Sequence, residues 1–110
     1  MTSFDERENA YETEFAHREE LRFKARERAV KSLALWAAQQ LGRTSQDSEA
    51  YARDLVAVDL ANPNPNMALE RIAVDLGPRG ITQQEVCRVM DQFLAKAEVS
   101  VRGSSSQASN

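Results

Sequence analysis

The sequence predicts an all-α protein, a compact helical bundle carrying a charged N-terminal arm that is mobile alone and can become helical. Three observations lead there. Apolar residues recur at helical spacing along most of the 110 residues, and no stretch alternates convincingly as a half-buried strand would. Capping signals and Gly or Pro stops divide the chain into four or five helical segments. The third observation is a change of texture within the first forty-two residues. From Ser3 to Lys31 nearly every second residue is charged, and the apolar positions thin to a row of Phe4, Tyr11 and Phe15. From Ala29 to Leu41 nine of thirteen residues are apolar, including all of Leu33 to Ala38. The second stretch can build a core; the first cannot do so alone.

Ser3 and Glu6 form a capping box at the start of the first helix, and the acids that follow suit the positive end of its dipole. Helical spacing then continues to Leu41. Glu14–Arg18, Glu20–Lys24 and Glu27–Lys31 are i,i+4 pairs in the favourable order, while Glu8 and Glu12 repel at the same spacing. Trp36, inside the apolar run, is expected at the centre of the bundle, and Gly42 is the natural stop. Thr44 or Ser45 caps a second helix whose apolar side holds Ala50, Tyr51, Leu55, Val58 and Leu60. Asn62-Pro63-Asn64-Pro65-Asn66 breaks it, because proline lacks a donor and restricts the residue before it.

Asn66 caps a short third helix carrying Met67, Leu69, Ile72, Ala73 and Leu76, which Gly77-Pro78-Arg79-Gly80 ends. The last helix has the clearest start: Thr82 and Glu85 form a capping box, with Ile81 and Val86 in the hydrophobic-staple positions. Val86, Val89, Met90, Phe93 and Ala97 then share one face, with Cys87 at its edge as a small hydrophobe. The resulting division is an arm over 1–20, a bundle over 21–101 and a disordered tail over 102–110.

Composition narrows the chemistry. Apolar residues make up 42 %, enough for a modest core. Seventeen acids against fourteen bases leave a net charge of −3, which argues against a nucleic-acid partner. A single cysteine allows no intrachain disulfide and favours a reducing, cytosolic setting. No run approaches the ~18 apolar residues of a membrane span, and no signal-peptide core precedes the charged stretch.

Glu14-x-x-His17 has the spacing of one half of a carboxylate-bridged di-metal site, but such sites need two motifs and the chain has one histidine. No metal site is therefore expected. Gly77-Pro78-Arg79-Gly80 follows a helix rather than a strand, so it is a turn and not a phosphate loop. No nucleophile, base and orienting acid can be assembled around His17, and the chain is read as a non-enzyme. Arg22, Lys24, Arg26, Arg28 and Lys31 form a basic block with two readings, a solvated helix face laced with ion pairs or a contact for an anion or nucleotide.

Magnitudes separate the arm from the body. Burying Phe4, Tyr11 and Phe15 is worth roughly 5–8 kcal/mol. Ordering the arm costs on the order of 1–2 kcal/mol per residue in backbone entropy. An isolated helix of that length is marginal in water, so the arm is expected to be frayed when free and fixed when its aromatic row enters a partner's groove.

Specific residues carry a family resemblance. Phe4-Asp5-x-Arg7-Glu8-x-Ala10-Tyr11-Glu12-x-x-Phe15-Ala16-His17, then Glu20-Leu21-x-Phe23-Lys24-Ala25, Leu35-Trp36-Ala37-Ala38 and Leu41-Gly42, resemble the zeta subunit, the small inhibitor of bacterial F-type ATP synthases. The likeness spans about residues 3–100 and is most specific at the N-terminus. It implies a four-helix bundle with a mobile arm. It also implies that the arm becomes helical on wedging into the catalytic head, between a nucleotide-bearing interface and the rotating central stalk, which blocks rotation in the hydrolytic direction.

By the same resemblance, Phe4, Arg7, Glu8, Tyr11, Glu12 and Phe15 make the wedge. No cofactor is required. The family also binds ADP or ATP weakly on the bundle, a contact assigned here to Arg28 and Lys31. The implied setting is cytoplasmic, peripheral to the inner membrane through the ATP synthase, with the free protein a monomer not inserted in the bilayer. The chain departs from the family at Arg18, where an acid is common, and over Ala29 to Ala34, where the basic block usually continues. The alternative reading is a nucleotide-sensing helical bundle that acts on a different protein partner.

Overall fold

Local capping and stop devices set the boundaries between the four helices. The computed structural model describes the backbone of residues 3–108 and the side chains of residues 16–103. Helix α1 spans Ser3–Gln40, α2 Ser45–Ala61, α3 Met67–Leu76 and α4 Gln83–Ala108, with a short 3₁₀ turn at Gly77–Arg79. No strand is present among the described residues, and the protein is an all-α four-helix fold.

Gly42 ends α1 as expected. It adopts φ 75°, and its N–H donates to Gln39 C=O while Arg43 N–H donates to Ala38 C=O, both at 3.0 Å. That is a Schellman closure, which needs a left-handed residue that glycine supplies without a Cβ penalty. The same closure recurs at Gly80, where Ile81 N–H reaches back to Leu76 C=O. Arg79 adds to the first stop by donating to Leu41 C=O.

Of the two candidate caps for α2, Thr44 serves, accepting from Asp47 N–H at 3.2 Å. The break at Pro63 holds too, with Asn62 extended at ψ 136°. At α3 the N-cap position is as expected but the side-chain bond is not. Asn66 occupies the N-cap position without a side-chain cap bond, and the Asn64 carboxamide instead accepts from Asn66 N–H at 3.0 Å. At α4, Thr82 Oγ1 accepts from Glu85 N–H at 3.1 Å. Only this half of the expected capping box forms, because Arg88 takes the Glu85 carboxylate at 2.6 Å.

The core lies where α1 runs between α2 and α4. Leu33, Leu55, Ile72, Leu76, Val30 and Val86 are its largest fully buried side chains. Around them Ala29, Ala34, Ala37 and Ala38 have no exposure, so α1 meets its neighbours through small residues that permit close approach. Two expectations need correction here. Trp36 is half-buried at the margin of the core, since the tightly packed centre has room for alanines and not for an indole. Cys87 is exposed, because the inward face of α4 is fixed by Val86, Val89, Met90 and Ala97, and position 87 turns away from it. On α2, Ala50 is likewise exposed and Leu60 is half out of the core, while Tyr51 and Ala52 face in.

Among the described residues Val101 is the last buried one of helix α4, whose range extends to Ala108. Arg102 Nε donates to Glu98 C=O in this last stretch.

Tyr51 shows how α2 is joined to α3. Its ring is buried beneath the Arg43 guanidinium, 4.9 Å from the ring centroid, and its hydroxyl donates to Asp75 Oδ2 at 2.7 Å. Burial first, then the bond to Asp75 and the charge of that carboxylate, raise the Tyr51 pKa far above the ordinary 10.0. Above pH 10 the unfolded chain therefore releases a proton that the folded chain retains, and stability falls as pH rises. Melting temperatures measured across pH 9 to about 11 should drop more steeply for the native chain than for Tyr51→Phe, which has no such proton. Parallel curves would remove Tyr51 as the cause.

Candidate functional site

The candidate site is the arm together with the turns of α1 that root it in the bundle. All six expected wedge residues, Phe4, Arg7, Glu8, Tyr11, Glu12 and Phe15, belong to α1, and helical register places those positions on one side of it. Their side chains lie outside the described residues, as does the expected Glu14–Arg18 pair. The described part begins with Ala16, His17, Arg18, Glu19 and Glu20, all exposed. Arg22 with Glu19 at 3.0 Å and Lys24 with Glu20 at 3.2 Å are surface pairs on this segment, and such pairs contribute little to stability. Leu21 is the first of these residues to touch the core, and Ala25 the first to be fully buried.

The basic block divides instead of forming one surface. Arg22 and Lys24 stay in their local pairs. Arg26 turns inward to α2, its Nη2 2.9 Å from Asp59 Oδ1 and its Nε 3.4 Å from Oδ2. Arg28 donates to Ser100 Oγ on α4 at 3.0 Å. Lys31 lines a shallow groove with Glu49, Arg53 and Val56 on α2, and its expected pair with Glu27 is not made. Arg28 thus contacts α4, while Lys31 lies beside α2. A second groove, between α1 and α4, is lined by Arg18, Leu21, Arg22, Glu98, Val101 and Arg102 at the point where the arm leaves the body.

Among the described residues no group of three or more His, Cys, Asp or Glu is placed to hold a metal ion. No helix among them is long and apolar enough to cross a membrane. The Arg26–Asp59 contact escaped sequence reading because its partners are thirty-three residues apart and each looks like an ordinary surface charge. The Tyr51–Asp75 bond was hidden in the same way, since Tyr51 fits an apolar stripe as well as a polar contact.

No curated protein and no solved structure gives a match to this chain. A family model described as ATPase inhibitor subunit zeta matches residues 1–100, which takes in all but the last of the described buried residues, and the chain belongs to that family.

Proposed function

We propose that this protein restrains ATP hydrolysis by the F-type ATP synthase, its N-terminal stretch of α1 wedging between a catalytic interface and the central stalk. Membership of the zeta family makes the chain an ATPase inhibitor subunit, a regulatory component. The observation that carries the finer reading is that the family match includes residues 1–20, a charged segment whose described residues, Ala16 to Glu20, are all exposed. These exposed turns sit at the root of the proposed wedge and precede the first core contact, at Leu21.

The shape of α1 supports the same role. A wedge must resist bending where it enters a cleft, and α1 is one helix of 38 residues whose far half forms the core. Phe4, Tyr11 and Phe15 are the aromatic anchors of this reading, and Arg7, Glu8 and Glu12 are its polar partners. The partner is the catalytic head, which places the protein on the cytoplasmic side, peripheral to the inner membrane. Adding the full chain to the isolated catalytic head should slow ATP hydrolysis in a saturable way. Hydrolysis unaffected at any concentration up to a large excess would end the proposal.

A further inference from the structure

We infer that Arg26 is a positioning residue that fixes the direction in which the arm-bearing end of α1 leaves the bundle. Three bonds converge on its guanidinium. Two go to the Asp59 carboxylate in the last turn of α2, and a third goes from Nη2 to the Pro65 carbonyl in the following loop. The Arg26 and Asp59 side chains are only 33 % and 10 % exposed, so water and salt screen this pair less than the arm's surface pairs.

The loop makes a stiff platform for the third bond. Pro63 and Pro65 fix two of its backbone angles, and Asn62 Nδ2 and Asn64 Oδ1 tie it locally to Val58 C=O and Asn66 N–H. A planar fork held by a carboxylate on one side and a carbonyl on another resists both sliding and twisting of α1, which a single ammonium contact cannot do. The apolar anchors nearer the arm are modest: Ala25 is small and Leu21 is only partly buried. On the opposite flank Arg28 holds Ser100, so this end of α1 is gripped from α2 and α4 together.

The effect on inhibition rests on the proposed function: a looser mount leaves fewer molecules with the arm correctly aimed. Should that fraction fall to about a tenth, the half-inhibitory concentration rises about tenfold while maximal inhibition is unchanged. The mount itself can be measured without the ATPase. The full chain with Ala16→Cys and its native, exposed Cys87 accepts one spin label on α1 outside the bundle and one on α4. Pulsed dipolar spectroscopy then gives the distribution of distances between them.

The Arg26 reference chain should give a narrow distribution, and Arg26→Gln a broader one at temperatures where a melting curve shows both fully folded. Arg26→Lys keeps the charge but loses the fork, and should broaden it as well. Equal widths in all three would overturn the inference whatever the hydrolysis assay shows. Broadening accompanied by weakened inhibition supports both readings. A reference chain with a narrow distribution and no inhibition would overturn the proposed function alone.

Discussion

Removing residues 1–17 should abolish inhibition of ATP hydrolysis while leaving a bundle that melts within a few degrees of the full chain. The two halves of this result have separate physical grounds. Stability is expected to persist because Ala16 to Glu20 are exposed and the first core contact along the described chain comes at Leu21. Inhibition is expected to vanish because the deleted segment holds every aromatic residue of the proposed wedge. Within the arm, Tyr11→Ala and Phe15→Ala should each cost about 2 kcal/mol of binding or more, roughly a thirtyfold loss of potency, as aromatic anchors dominate small interfaces. The paired measurement is a hydrolysis titration beside a thermal melt by circular dichroism. Full inhibition by the truncated chain would place the active surface elsewhere, and collapse of its melt would show that the arm belongs to the core.

Leu33→Ala should produce the largest loss of stability from a single substitution, about 3–4 kcal/mol by the behaviour of buried Leu→Ala changes. Leu33 has no exposure and sits among Ala29, Ala34, Ala37 and Ala38 on the face of α1 that the other helices cover. The loss has two parts, the transfer of the side chain from water and the void left behind. Alanine neighbours cannot extend into that void, which favours the upper part of the range. For a chain of this size the melting midpoint should fall by roughly 10–20 °C. Val99→Ala, at a residue 66 % exposed, is the matched control and should shift it little. Similar midpoints for the two variants would mean that the α1 centre is less tightly packed than its burial indicates.

The sequence reveals this fold well where the determining interaction is local. Gly42, Thr44, Pro63 and Thr82 act on residues within five positions of themselves, and each does what its spacing predicts. Legibility falls when two local partners compete or packing decides. Glu85 could serve Thr82 or Arg88 equally well by spacing, and the stronger charge-assisted bond wins. Trp36 was expected at the centre on hydrophobicity, but close helix approach selects alanine there and leaves the indole at the margin. Long-range polar contacts such as Arg26–Asp59 and Tyr51–Asp75 leave no periodic trace at all. The candidate site is a different case. The spacing of Phe4, Tyr11 and Phe15 marks an aromatic row for a partner's groove, whereas Arg7, Glu8 and Glu12 and the identity of that partner come only from the resemblance.

Helix α1 passes from arm to core with no joint, which gives it a phase as well as a length. Each residue turns the rod by about 100°, so a single insertion between Glu20 and Ala25 would swing the arm's stripe a quarter-turn or more away from its bearing on the bundle. Seven inserted residues would restore that bearing almost completely and lengthen the rod by about 10 Å. Selection on such a protein should consequently tolerate substitutions at the root of the arm far more readily than changes in the number of residues there.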